Sequence, residues 1–139
     1  MKVLFDTNVI IDAIAERYSD YDYSQKLINK VVDGEIDGYI CSKQITDIYY
    51  ILKKYFDEKR RRLIIKSILE TFKVLPLLPS YLSYCINSKI DDYEDSIIDE
   101  VASVNMIDFI LTNNINDFPN SKAVIISPKE LYTLKSVGV

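Results

Sequence analysis

Four carboxylates are notable for where they fall along this chain. Asp6 follows the apolar run Val3-Leu4-Phe5, where a buried strand would end, and Asp47 follows a second strand-like run, Gly38-Tyr39-Ile40-Cys41. Asp95 lies in Asp92-Tyr93-Glu94-Asp95, which opens an apolar helix, and Asp117 follows Ile110-Leu111-Thr112. The chain has no histidine to share acid–base work. Acids gathered at the carboxyl ends of strands, without histidine, point to a hard divalent cation. Carboxylates brought together raise one another's pKa unless a cation neutralises them. Mg2+ or Mn2+ suits oxygen ligands, keeps several waters and bridges to phosphate groups. Two such ions can activate a water and stabilise the leaving oxygen of a phosphodiester.

Each acid also has a plainer reading. Asp6 or Asn8 can simply cap the helix that follows the first strand. Asp47 stands at the margin of a buried helical face formed by Ile45, Ile48, Tyr49 and Leu52 and extended by Ile51. A carboxylate there needs a cation or hydrogen-bond donors, and Lys43, four residues earlier, offers a salt bridge. Helical phase separates Asp95 from its neighbours, because Asp95, Ile98 and Ala102 share one stripe. Asp99 falls instead with Ser96 and Ser103, on an expected solvent face. Asp92 suits an N-cap, and Glu94 a first-turn acid favoured by the helix dipole. Asp117 sits in a polar loop, Thr112-Asn113-Asn114-Ile115-Asn116-Asp117, of a kind that often forms turns. No single acid decides the matter, but the recurrence argues for a shared pocket.

These residues have to be positioned by alternating elements. Strands are expected at Val3–Phe5, Gly38–Cys41, Val74-Leu75, Phe109–Thr112 and Ala123–Ile126. Helices are expected over Val9–Glu16 and Tyr23–Val32, the latter stopped by Gly34. A further helix, capped by Ser42, should run to about Phe56, and another, capped by Asp57, to about Phe72. A Pro76/Pro79 break precedes helices over Tyr81–Ser88 and Tyr93–Val104, and Pro128 begins the last one. Such alternation implies a parallel sheet covered by helices.

Composition narrows the class. A chain of 139 residues that is 48% hydrophobic fits a single domain, residues 1–139, with a real core. Glycine and proline are scarce and 27% of residues are charged, which excludes fibrous and disordered classes. The net charge of -4 excludes coating nucleic acid by bulk charge while leaving room for a local basic patch. Cys41 and Cys85 are expected to be buried, reduced thiols. With no signal-peptide pattern and no apolar run near the ~20 residues needed to span a bilayer, a cytoplasmic protein is expected.

The ordered motifs resemble the PIN-domain family of metal-dependent ribonucleases, which includes VapC-type toxins of bacterial toxin–antitoxin pairs. Val3 to Asp12, Val-Leu-Phe-Asp-Thr-Asn-Val-Ile-Ile-Asp, resembles the family's first strand and first acid, Asp6. Ile45 to Leu52 resembles the second-acid segment, where the usual Glu is replaced by Asp47, one carbon shorter and suited to contact through a water. Glu94 to Ala102 resembles the third-acid helix, with Asp95 in the ligand position. Ile110 to Phe118 resembles the fourth motif, whose acid stands in some relatives where Asn114 does and in others where Asp117 does. Asp117 is preferred as the carboxylate. Asn8, Thr112 and Asn114 are counted as supporting the site. Ile126 to Leu131 resembles the family's closing strand and helix.

The resemblance implies a three-layer α/β/α sandwich around a central, mostly parallel sheet. It implies Asp6, Asp47, Asp95 and Asp117 as catalytic metal ligands for Mg2+ or Mn2+. It further implies an RNA substrate hydrolysed by a metal-activated water, an antitoxin partner and a homodimer. Lys53, Lys54, the run Lys59-Arg60-Arg61-Arg62 and Lys66 form the densest basic region and could meet phosphates, although a solvated helix face balanced by Asp57 and Glu58 is favoured. Tyr18, Tyr21 and Tyr23 could stack on unpaired bases, against the favoured reading of core or dimer contacts. A haloacid-dehalogenase-type phosphatase would need an acid where Asn8 stands. A receiver-type domain would need paired acids after the first strand and a phosphoacceptor where the chain has Pro76-Leu77-Leu78-Pro79. A PIN-like RNA-binding or interaction module without turnover is the serious alternative.

Overall fold

Val3, Leu4 and Phe5 are all fully buried, as a strand covered on both faces must be. In the computed structural model, which describes residues 1–136, they belong to β1 (Lys2–Phe5), the middle strand of a five-stranded sheet. The other strands are β2 (Asp37–Cys41), β3 (Lys73–Leu75), β4 (Phe109–Leu111) and β5 (Val124–Ile126). The sheet order is β3-β2-β1-β4-β5, and every pairing is parallel. Helices are α1 (Thr7–Ala15), α2 (Tyr21–Val32), α3 (Ser42–Ile51), α4 (Glu58–Thr71), α5 (Pro79–Tyr84), α6 (Tyr93–Val104) and α7 (Pro128–Ser136).

Alternation along the strands divides the core into two layers. Val3 and Phe5 face one side, with Ile10 of α1, Leu27 of α2, Ile48 of α3, Ile68 of α4 and Leu131 of α7. Leu4 faces the other, with Tyr81 of α5 and Ile97, Val101 and Ala102 of α6. The expected α/β/α sandwich is thus observed. Gly38 lets α2 lie close on β2, since a Cβ there would meet the Val31 methyls at 2.7 and 2.8 Å. Among the described residues no helix is long and apolar enough to cross a membrane.

Several expectations need correction. The helix after β2 is capped by Cys41 rather than Ser42, and the Gln44 amide oxygen accepts from the Cys41 N–H at 2.7 Å. Ser42 instead accepts from the Leu77 N–H, which ties the chain beyond β3 to α3. That helix ends at Ile51 and continues as a 3-10 turn, Leu52–Lys54, short of Phe56. The helix expected over Tyr81–Ser88 starts earlier, with Pro79 in its first turn, and passes into a 3-10 turn at Cys85–Asn87. Asp57 caps α4 and Asp92 caps α6, as expected.

Asp99 and Ser96 do not face solvent, as both are buried. The loop before β5 folds over that side of α6, where the Ser121 hydroxyl and the Lys122 N–H donate to Asp99. Helical phase cannot register a loop that returns from another part of the chain. Both cysteines are buried and free. The basic run is a helix face held partly by its own acid, since Glu58 pairs with Arg61 and Arg62. Arg61 turns inward, its guanidinium 4.4 Å from the centre of the Tyr49 ring.

Candidate active site

Strand order reverses at β1, with β2 and β3 on one side and β4 and β5 on the other. Ligands of open parallel sheets bind at such a switch point, outside the carboxyl ends of the strands. Asp6 is the first residue beyond β1, and its N–H donates to Leu111 O of β4 at 2.9 Å. Asp6 does cap α1, accepting from the Thr7 N–H at 2.9 Å through Oδ1. Its second oxygen, Oδ2, accepts from the Thr112 hydroxyl at 2.8 Å, across the switch point. Thr112 is fully buried and its hydroxyl also accepts from the Asn114 N–H. Cap and site are therefore the same carboxylate, held by two donors.

Asp6, Asn8, Lys43, Asp47, Glu94 and Asp95 line one pocket of 330 Å3. The structure thus brings three of the four expected acids together. Burial pushes the Asp6 carboxyl up, the Thr112 and Thr7 bonds oppose that, and the charges of Asp117 and Asp12 add to the rise. Asp95 is pushed up to about 7 by burial, then by the charges of Asp92, Asp6, Asp117 and Glu94. Such a rise reflects burial first and neighbouring carboxylates without a sufficient counter-charge second.

Asp47 is held in an ion pair. Lys43 Nζ lies 2.7 Å from its Oδ2 and 3.4 Å from Glu94 Oε2. Burial works against the Lys43 ammonium, but the bond to Asp47 and the charges of Asp47 and Glu94 outweigh it and raise its pKa. The plain salt-bridge reading of Asp47 therefore holds alongside its place in the pocket. Asp117 closes the exposed 3-10 turn Ile115–Asp117, anchored by buried Phe118. Its charge reaches Asp6 and Asp95, although it does not line the pocket. Asn114 faces a neighbouring cleft instead, and Asn8 lines both.

Three contributors escape the sequence reading. Gln44 is buried, and its Nε2 donates to Phe5 O at 2.7 Å and Thr7 Oγ1 at 3.3 Å, joining α3 to the end of β1. Its signal is the position three residues after Cys41, where a capping-box side chain belongs. Glu94 reaches the pocket through Lys43 as well as suiting the helix dipole. Asp12 is buried on α1, bonded to Arg17 Nε and Asn113 Nδ2, each at 2.8 Å. An acid interrupting Val9-Ile10-Ile11 is the signal that could have found it.

A family model described as the PIN domain matches residues 2–116. The chain belongs to the PIN-domain family. The matched span contains Asp6, Asp47, Asp95 and Asn114 and stops one residue before Asp117. This PIN domain is 28% identical to Ribonuclease VapC1 of Aquifex aeolicus (strain VF5) over 118 residues, 81% of each chain. Its fold is similar to VapBC2 from Rickettsia felis bound to a promoter DNA fragment, with a TM-score of 0.68 and 17% identity, covering 91% of this chain and 98% of that one. A toxin–antitoxin complex from Klebsiella pneumoniae gives a TM-score of 0.67 and 20% identity, covering 91% and 97%.

The donors of this PIN domain fit a hard divalent cation. They are oxygens, the carboxylates repel one another, and the pocket leaves space for retained waters. As they stand, the acids are not drawn into a chelating cluster: among the described residues no three acidic, histidine or cysteine side chains are grouped to hold one ion.

Proposed function

We propose that this protein is a metal-dependent endoribonuclease and the toxin of a toxin–antitoxin pair. The observation that carries the reading is that Asp6 and Asp95 line one pocket at the switch point, both carboxyls pushed up first by burial, with the charge of Asp6 adding to the rise at Asp95. Support comes from the curated relative, which is a ribonuclease, and from a structural neighbour that is a toxin–antitoxin complex.

Asp6 and Asp95 would hold Mg2+ or Mn2+, joined by Asp47 once it leaves Lys43, with Asp117 supporting from the rim. Such a cation, when bound, supplies Lewis-acid activation of a water and neutralises charge on a phosphodiester. The chain's own residues prepare the place for it. Thr112 and Thr7 fix both Asp6 oxygens, so this carboxylate is oriented before any ligand arrives. Gln44 holds the start of α3 against the end of β1, setting Asp47 beside Asp6. Lys43, released from Asp47, presents an ammonium where a phosphate would lie. An antitoxin protein, a homodimer and work in the cytoplasm belong to the same reading.

The test is incubation of purified protein with a panel of single-stranded and looped RNAs, with Mg2+ or Mn2+ and with chelator. Cleavage that needs metal supports the reading, and none with any RNA sinks it. The ion pair between Lys43 and Asp47, together with the dispersed acids, favours a second reading, a PIN module that binds RNA or protein without turnover. Failure to bind either metal would select it.

A further inference from the structure

A second cleft, of 450 Å3, lies beside the acidic pocket and shares Asn8 with it. Its walls include Asn8, Arg17, Tyr18, Asn113 and Asn114, with the exposed acid Asp20 at the rim, which disfavours a free anion. We propose that this cleft seats an unpaired base of the RNA, next to the scissile phosphate, with Tyr18 as the stacking surface and the asparagines at the base edge. The proposal rests on the ribonuclease reading and adds the part of the substrate that lies outside the acidic pocket.

The chemistry of the lining selects a base over a free phosphate. Arg17 is the only cation of the cleft among the described residues. Its guanidinium is already engaged by Asp12, with Nε at 2.8 Å and a second nitrogen at 2.7 Å from the same oxygen. The pair is close to neutral, so it offers an anion little. It does form a floor, with the guanidinium carbon 5.6 Å from the centre of the Tyr18 ring. Tyr18 itself is 78% exposed and held in the left-handed region at φ 65. An exposed aromatic ring beside a planar guanidinium suits stacking on a base, because every base has a π-face.

The amides supply the edge contacts. Asn113 is oriented by its bond to Asp12, which leaves its carbonyl oxygen free to accept. The side-chain amides of Asn8 and Asn114 make no hydrogen bond to other described residues, so both keep donors and an acceptor for a ligand. Asn8 follows Asp6 by two residues, and the Asp12 charge is felt at Asp6. A strand leaving the acidic pocket past Asn8 therefore enters this cleft directly.

The test compares wild type, Tyr18→Ala and Tyr18→Phe for affinity to a short unstructured RNA in chelator, by fluorescence anisotropy, and for KM and kcat of RNA cleavage with Mn2+. Because Tyr18 is exposed, both variants should fold, which circular dichroism checks. Tyr18→Ala should bind about 5- to 150-fold more weakly, the range for loss of one base–aromatic stack, with the cleavage defect in KM. Tyr18→Phe should retain wild-type affinity. Cleavage by wild type, with affinity and KM unchanged in Tyr18→Ala, overturns the cleft assignment and leaves the ribonuclease reading standing. RNA binding and cleavage absent from wild type remove both. Unchanged RNA affinity with an altered oligomeric state in Tyr18→Ala gives the cleft to a second copy of the chain and overturns the proposal.

Discussion

Replacing Gln44 by Leu separates the two halves of the acidic pocket without touching a carboxylate. Gln44 is fully enclosed, and its amide joins three groups: Cys41 N at 2.7 Å, Phe5 O at 2.7 Å and Thr7 Oγ1 at 3.3 Å. Leucine fills a similar volume but leaves the Cys41 N–H and Phe5 C=O without this partner in the interior. Each buried group so orphaned costs about 1–3 kcal/mol. The added apolar contact of leucine offsets about 1–2 kcal/mol of that. The net destabilisation expected is about 1–4 kcal/mol, enough to lower Tm by on the order of 10 °C in a domain of this size. Urea unfolding of wild type and Gln44→Leu, followed by circular dichroism, measures it. The midpoint should fall while the slope with denaturant stays the same. A difference below about 0.5 kcal/mol, typical of a surface substitution, would refute the reasoning that this amide fastens α3 to β1.

Three further outcomes follow from the same geometry. Gly38→Ala places a methyl against Val31 at 2.7 Å and should cost about 1–3 kcal/mol by overpacking, read from the same urea curves. Asp95, raised to about 7 from an ordinary 3.8, holds its proton more tightly folded than unfolded. Its contribution to stability therefore falls as pH rises from about 4 to 7. In chelator, Asp95→Asn should melt above wild type at pH 8, and the gap should narrow by pH 5; a pH-independent gap would contradict the raised Asp95 carboxyl. Lys43→Met frees Asp47 from its ion pair and should tighten Mn2+ binding by roughly two- to five-fold, the scale of a partly exposed salt bridge, in titration calorimetry.

The strands could be read from Val3–Phe5, Gly38–Cys41 and Phe109–Leu111 because a covered parallel strand leaves a continuous apolar run. Their order could not, since no periodicity says that β1 lies between β2 and β4. Asp6 and Asp95 were readable because a strand end and a helical stripe are local properties. What folding adds comes from distant parts of the chain. Thr112 reaches Asp6 over a separation of 106 residues, and Asn113 reaches Asp12 over 101. Asp99 shows the converse failure, because the residues that bury it return in a loop after the 3-10 turn Ile115–Asp117. Tyr23 is half-buried against Tyr132 with ring centres 5.7 Å apart, outside the core proper, and the ring of Tyr18 is exposed.

The most direct test of the acidic pocket as a metal-dependent ribonuclease site is cleavage of single-stranded RNA by wild type beside Asp6→Asn, in Mn2+ and in chelator. Asparagine can keep the bond from the Thr7 N–H, and the Thr112 hydroxyl can turn to accept from its amide, so the variant should fold. Wild type should cleave only with metal. Asp6→Asn should lose more than about 100-fold, beyond the 10- to 100-fold typical of residues that merely orient a ligand. Equal cleavage by the two proteins, both folded, would contradict the assignment.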